Sequence, residues 1–393
     1  MGASELHYFD ANATAPLRPE ARAAWLAAEE NLWANPASPS AAGSRAAAEL
    51  EHCRSVLAGC LSAMPEDVVF TSGATEANNA VLAFEAERHP AGAILVSAIE
   101  HPSVLEAAQK FWKNRVHLLP VESNGSVSLH ALEEILRAHR DISLVSLMAA
   151  NNETGVLQPW CEAAALARNH GARFHCDATQ WIGRLSAKEM GACDYVVGSG
   201  HKFGGPKGTG FLKLRAKENV AFAGQVGGGQ ENHRRAGTVN LPAITGMLAA
   251  LAAGEREMEL LAEEHRSARA AFEQRLRLRF PSAIIHGEGR ERLWNTVSVA
   301  MPRHGNLRWL KRLERHGFVV STGSACATAD NKPSHVLAAM GCADEVARRT
   351  LRISATSATT AEDWRGLAQT LEVVARELDA DAEENATGVV LLP

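Results

Sequence analysis

Two residues of this 393-residue chain stand out by where they fall. Asp177 closes the strand-like run 173–176, and Lys202 follows the run 195–198 inside the turn Ser199-Gly200-His201-Lys202-Phe203-Gly204-Gly205. A carboxylate at the mouth of a buried strand costs roughly 3–5 kcal/mol if left unpaired, so Asp177 is expected to face a cation. A lysine that leaves an apolar strand into a crowded turn is partly desolvated, which lowers its pKa and makes it a plausible amine nucleophile. Lys207, between Pro206 and Gly208, lies in the loop proper and is the weaker of the two candidates. Upstream, Thr71-Ser72-Gly73-Ala74-Thr75-Glu76 reads as a Gly turn feeding a helix whose free amides suit a phosphate. His101 and the pair Asn151-Asn152 also follow apolar runs, and taken singly they read as well as hydrogen-bonded structural residues or turn chemistry. Lysine, aspartate and phosphate cradle together are the parts that a pyridoxal phosphate site requires.

The chain has seven cysteines, at 53, 60, 161, 176, 193, 326 and 342. An odd, scattered set without a Cys-x-x-Cys pair predicts neither a disulfide framework nor a bound metal. Six of them read as small buried apolar residues. Cys326 differs, because 321–333 is small, polar, without strand or helix period and closed by Pro333, which predicts a mobile exposed loop. A free thiol there has a pKa of ~8.5 and needs local help to ionise.

For these residues to meet, the chain must put them on one sheet. Seven runs read as strands: 68–70, 94–97, 116–121, 142–148, 173–177, 195–199 and 210–214, with helical spacing between most of them. Near-continuous apolar strands joined by helices predict an α/β fold, a mainly parallel sheet covered on both faces. The Glu- and Arg-rich stretch 255–279 has neither Gly nor Pro and predicts an exposed connecting helix. We therefore expect a large cofactor-binding domain over 14–254. A smaller α+β domain would comprise 1–13 and 255–393, with strands near 295–300 and 318–321 and helices near 334–340 and 361–377.

Composition bounds the partners. Hydrophobic residues make up 46% and charged residues 22%, the globular range. Lys and Arg number 40 against 45 Asp and Glu, and the net charge of -5 gives no electrostatic reason to expect nucleic acid or an anionic membrane. No stretch approaches the ~18 apolar residues of a spanning helix, and the first ten residues carry no basic segment followed by an apolar run, so a cytoplasmic location is expected.

The segments Asp10-Ala11-Asn12-Ala13-Thr14, Asn35-Pro36-Ala37-Ser38, 71–76, Glu100-His101, 151–155, Asp177-Ala178-Thr179-Gln180, 199–202 and Ser321-Thr322-Gly323-Ser324-Ala325-Cys326 occur in that order. In this combination, over about residues 8–377, the chain resembles the cysteine desulfurases, pyridoxal phosphate enzymes of fold type I in the class V aminotransferase superfamily. The loop form resembles the subgroup with a long mobile cysteine loop, whose members hand sulfur to iron-sulfur cluster assembly and to RNA thiolation.

The resemblance implies a large domain on a mainly parallel seven-stranded sheet, a smaller α+β domain, and pyridoxal 5'-phosphate held covalently by Lys202. It implies that Asp177 pairs with the pyridinium nitrogen and that His101 stacks on the ring and moves protons. Ala74, Thr75, Ser199 and His201 would bind the phosphate, and Gln180 and Asn152 the ring-hydroxyl side. Thr238, in Arg235-Ala236-Gly237-Thr238, would reach the phosphate of a neighbouring subunit, which implies a homodimer. Arg352, with Asn152 beside it, would hold the substrate carboxylate. Cys326 would attack the sulfur of L-cysteine, leaving L-alanine and a persulfide for a sulfur-acceptor protein.

Three departures from the family pattern accompany these matches. Thr356-Ser357 stand where a Gly-Arg pair is common, which removes one positive charge expected near the small-domain side of the site. Ala149-Ala150 replace a histidine-valine before the Asn-Asn pair. The ending 386–393 does not resemble the tail that docks the iron-sulfur scaffold. The alternatives are a selenocysteine lyase or transaminase of the same fold and, in another class, a non-catalytic interaction protein. Cys326 separates desulfuration from transamination, which has no use for a loop thiol.

Overall fold

The computed structural model describes residues 6–323 and 333–387, and it opens with β1 (His7–Tyr8), α1 (Pro19–Asn31) and α2 (Ala41–Leu61). Strands and helices then alternate through β2 (Val68–Thr71), α3 (Ala74–Arg88), β3 (Ala93–Ser97), α4 (Pro102–Trp112), β4 (Val116–Leu119), α5 (Leu129–Ala138), β5 (Ile142–Ser146), α6 (Trp160–Asn169), β6 (Arg173–Asp177), β7 (Tyr195–Ser199) and β8 (Gly210–Leu214). The remainder is α7 (Leu241–Arg279), β9 (Ile284–Ile285), β10 (Thr296–Ala300), α8 (Asn306–Arg315), β11 (Phe318–Val319), α9 (His335–Ala339), α10 (Asp344–Ala347), β12 (Thr350–Ser354) and α11 (Ala361–Thr387).

The central sheet has seven strands in the order β2-β8-β7-β6-β5-β3-β4. β8 is antiparallel to both its neighbours and every other pairing is parallel, so the sheet is mainly parallel. Period-two alternation buries it on both sides. Phe70, Leu95, Val145, Val196 and Phe211 pack with Leu50, Leu57, Ala163 and Leu248 of α2, α6 and α7. Their chain neighbours Val69, Ile94, Leu144, Tyr195 and Leu212 pack the other way, onto Val81, Leu82, Val104 and Trp112 of α3 and α4. A further core joins Phe9, Phe272, Leu276, Val297, Val299, Trp309, Leu351, Ile353 and Trp364 around the antiparallel β12-β10-β9 sheet. α7 supplies Ile244 and Leu248 to one core and Phe272 and Leu276 to the other, and its 39 residues run unbroken between them.

Two strands of the central sheet are shorter than their apolar runs. β4 stops at Leu119 because Pro120, with no N–H to donate, follows it. β5 stops at Ser146, and the apolar Met148 beyond it is buried against Val336 and Leu337, so its apolarity reports packing and not a strand. Among the described residues no helix is long and apolar enough to cross a membrane.

Candidate active site

Because β2 and β7 are both antiparallel to β8, they run the same way, and the carboxyl ends of β2, β3, β5, β6 and β7 share one edge of the sheet. That edge is where an open α/β sheet binds its ligand. It holds a cavity of about 550 Å³. Ala74, Thr75, His101, Asn152, Asp177, Gln180, Ser199, His201, Lys202 and Arg352 all line it. Thr238 does not, and it is exposed on this chain. Cys326 lies outside the described residues.

Asp177 is 5% exposed at the end of β6. Among the described residues no cationic side chain pairs with it: its oxygens accept from neutral groups, Asn78 Nδ2 at 2.9 Å and the Thr179 amide at 3.0 Å. Asn78 is itself held by His175, whose Nε2 lies 3.0 Å from Asn78 Oδ1. Those contacts leave the cavity side of the carboxylate for a cationic ligand. Thr179 Oγ1, buried at the same wall, has no partner among the described residues.

Lys202 sits in the 3₁₀ turn after β7 and donates from Nζ to the carbonyls of Asn12 at 2.8 Å and Ala13 at 2.9 Å. Burial, reinforced by the charges of Arg352 and Arg184, lowers its pKa to about 8. His101 caps α4, its Nδ1 accepting from the Ser103 amide at 3.1 Å, which leaves Nε2 as the free ring nitrogen. Burial lowers its pKa, so it is neutral at physiological pH. His201, with Nδ1 3.1 Å from Thr14 Oγ1, is lowered to about 4 by burial and by Lys202 and Lys207. It therefore meets an anion as a neutral hydrogen-bonding group.

The N-terminus of α3 faces the same cavity. Its cap, Gly73, has φ 155°, a value side-chain-bearing residues rarely adopt, and a Cβ there would stand 3.4 Å from Ser199 Oγ. At Gly210 a Cβ would meet Gly73 Cα and Gly198 O, both at 2.6 Å, so only glycine lets β8 press this close behind the cradle.

Arg352 is 2% exposed on β12, with Nη2 2.7 Å from Asp10 Oδ1. Its Nη1 donates to the Gly323 carbonyl and, at 3.5 Å, to that of Asn152. Asn151, by contrast, is turn chemistry: its Oδ1 accepts from the amides of Glu153 and Thr154. Thr356 and Ser357 line a neighbouring cavity of about 250 Å³ that also touches Lys202 and contains the ion pair Arg18–Glu257.

Four contributors carried no assigned role in the sequence. Asn12 offers its carbonyl to Lys202 and to Gln180 Nε2, and Arg184, buried, fixes Gln180 Oε1 at 2.8 Å and the Lys202 carbonyl at 2.9 Å. Asn78 orients Asp177, and His335 lines the cavity with Nε2 2.8 Å from the Glu100 carbonyl. Only Asn12 left a signal, as a member of the ordered segment 10–14.

The model of the Aminotransferase class-V family matches residues 7–367. The chain belongs to this family. Class-V aminotransferases are pyridoxal phosphate-dependent enzymes, and this chain is one of them. A cysteine desulfurase from Sinorhizobium fredii is 36% identical over 381 residues, which cover 94% of this chain and 97% of the relative. The solved structure of a NifS-like protein from Rickettsia africae superposes with a TM-score of 0.86 at 29% identity, covering 95% of this chain and 100% of that one. A structure described as SspA in complex with cysteine gives a TM-score of 0.77 at 29% identity, over 89% of this chain and 99% of that one. The residues present fit the cofactor. A buried carboxylate open on one side, an orphaned threonine hydroxyl, a desolvated lysine and a helix N-terminus converge on one cavity.

Proposed function

We propose that this cysteine desulfurase takes the sulfur of L-cysteine onto Cys326, releases L-alanine and passes the sulfur to an acceptor protein. The observation that carries the reading is the joint presence of Asp177, Lys202 and Arg352 around one cavity, which suits a cofactor and an α-amino acid together. Lys202 would hold the cofactor, Asp177 its ring nitrogen, and Ala74, Thr75, Ser199 and His201 its phosphate, with Gln180 and Asn152 on the ring-hydroxyl side. When bound, pyridoxal phosphate supplies an electron sink for the bond-breaking at the amino acid.

The chain's own residues do the rest. Arg352 binds the substrate carboxylate with its planar fork. Lys202 Nζ, with a pKa near 8, is in part the free amine at neutral pH and takes up the Cα proton. His101 Nε2 exchanges a proton on the side facing the cavity. The Cys326 thiolate forms an S–S bond to the substrate sulfur as the Cβ–S bond breaks, and that bond's electron pair passes to the carbon skeleton. A proton completes alanine, so cysteine and a thiol become alanine and a persulfide with atoms and electrons in balance. We place the enzyme in the cytoplasm as a homodimer in which Thr238, exposed on its own chain, serves the partner's phosphate.

The test is alanine and sulfide formation from L-cysteine with a reductant, for the unaltered protein and for Cys326→Ala, with L-selenocysteine in parallel. Activity on cysteine that is lost in Cys326→Ala supports the reading. Undiminished turnover in Cys326→Ala removes the persulfide step, and turnover of selenocysteine alone reassigns the substrate.

A further inference from the structure

At the opposite edge of the central sheet, away from the carboxyl ends that form the cavity, His117, His139 and Asp141 converge. Their ligand atoms, two imidazole nitrogens and a carboxylate oxygen, all lie within 4.8 Å of one another. The two rings stand 4.1 Å apart between centroids with their planes at 40°. Among the described residues none of the three side chains has a hydrogen bond or an ion pair, although each is a strong donor or acceptor. Three such groups turned toward a common point without bonding one another leave a gap suited to a cation.

The backbone fixes all three. His117 lies in β4, paired in register with Leu95 of β3. The His139 amide donates to Ile135 O at 2.9 Å as the C-cap of α5, and the Asp141 carbonyl accepts from the Ala93 amide at 2.8 Å. The backbone positions are therefore set, and His139 and Asp141, both exposed, have their side-chain rotamers still to fix around a bound ion. Two imidazoles with one carboxylate suit Zn²⁺ and its transition-metal neighbours, whereas Mg²⁺ and Ca²⁺ require oxygen ligands throughout. Sequence spacing conceals the set, since His117 is distant along the chain from the pair His139-x-Asp141.

We propose that His117, His139 and Asp141 form a divalent transition-metal site, suited to Zn²⁺, that ties the edge strand β4 to the turn between α5 and β5. β4 is the last strand of its sheet, with an unpaired edge, and Leu118 on it is 59% exposed. A metal bridging it to α5 braces that edge and stabilises the native state in proportion to occupancy. Three protein ligands leave a further coordination position to water.

The test uses the cofactor-loaded, chelator-treated protein with Cys326→Ser, which removes the loop thiol as a competing ligand. Zn²⁺ is titrated calorimetrically and Co²⁺ by visible absorbance, with and without His117→Ala and His139→Ala. The site predicts one equivalent of Zn²⁺, weakened by about tenfold or more in either variant, and a Co²⁺ spectrum without a thiolate band. It also predicts a Zn²⁺-dependent rise in melting temperature that both variants lose while keeping the cofactor absorbance of a folded protein. No Zn²⁺ binding in the parent, or equal binding in the double variant, overturns it.

Discussion

Asn78 Nδ2 donates to Asp177 Oδ2 at 2.9 Å, and behind it a buried chain continues through His175 to Ser146. His175 Nε2 meets Asn78 Oδ1 at 3.0 Å and its Nδ1 meets Ser146 Oγ at 2.8 Å. The order of donors follows from the amide. If Nδ2 serves Asp177, Oδ1 faces His175, so Nε2 carries the hydrogen and Nδ1 accepts from Ser146. Burial lowers the His175 pKa and holds the ring neutral, which keeps that order fixed. Asp177 is thus oriented by a relay reaching back into β5 and β6.

Asn78→Ala removes a hydrogen bond to a charged group, worth about 1.5–3 kcal/mol. We expect pyridoxal phosphate affinity to fall by about 10- to 100-fold, since each 1.4 kcal/mol is tenfold. A cofactor titration followed by absorbance checks this. Affinity unchanged in the variant would mean that Asp177 holds its orientation without the relay.

Lys202 makes a prediction about pH. With its pKa lowered to about 8, chiefly by burial, the amine becomes free as pH rises through that value. In cofactor-free protein, the rate of covalent attachment should therefore climb up to about pH 8 and level off above it. Stopped-flow absorbance after mixing with pyridoxal phosphate reads that rate. A rate still climbing at pH 10 would show an ordinary lysine, with the amine of ~10.4 in peptides.

The main features of the site were legible because they end apolar strands. Asp177 closes a run whose burial the sequence announces, Lys202 lies in the turn that follows another, and the parallel sheet then brings the ends together. Asn78 and Arg184 were not legible, because a polar residue inside a helix or turn looks the same whether it faces solvent or a buried carboxylate. The groups that meet Asp177 were hidden for a related reason. Its charge is met by neutral N–H donors on one side and left for a ligand on the other, an arrangement that only tertiary structure reveals. Apolar residues past Ser146 misled in the opposite way, since packing against α9 and pairing in a sheet select the same side chains.

Glu100 is 0% exposed beside the cavity, its Oε1 accepting from Ser97 Oγ at 3.0 Å and from the Met148 amide at 2.5 Å. Burial, with the charge of Asp177 adding to it, raises its pKa to about 8, above the usual carboxylate value of 4.5. A folded pKa above the unfolded one means stability that is complete below about 4.5 and is lost as pH rises through about 8. Glu100→Gln keeps the Oε1 acceptor and removes the titration. Its melting temperature should exceed that of the unaltered protein by a margin that widens from pH 6 to about 8 and then levels off. Parallel melting curves at every pH would show that Glu100 does not titrate on unfolding.

Arg352 contributes both a fork and a charge, and two substitutions separate them. Its guanidinium is already paired with Asp10 and donates to the Asn152 carbonyl, so its plane is set before substrate arrives. Arg352→Lys keeps the positive charge that helps depress Lys202 but loses the bidentate geometry. We expect KM for L-cysteine to rise by about 10- to 100-fold, in line with the loss of a charge-assisted hydrogen bond, while the pH dependence of cofactor attachment stays where it was. Arg352→Ala loses fork and charge together, so KM should rise at least as far and the attachment profile should move to higher pH, because one of the charges opposing protonation of Lys202 is gone. Steady-state kinetics and the attachment assay at several pH values distinguish the two. If Arg352→Lys moves the pH profile as far as Arg352→Ala does, the charge of Arg352 does not act on Lys202 through space.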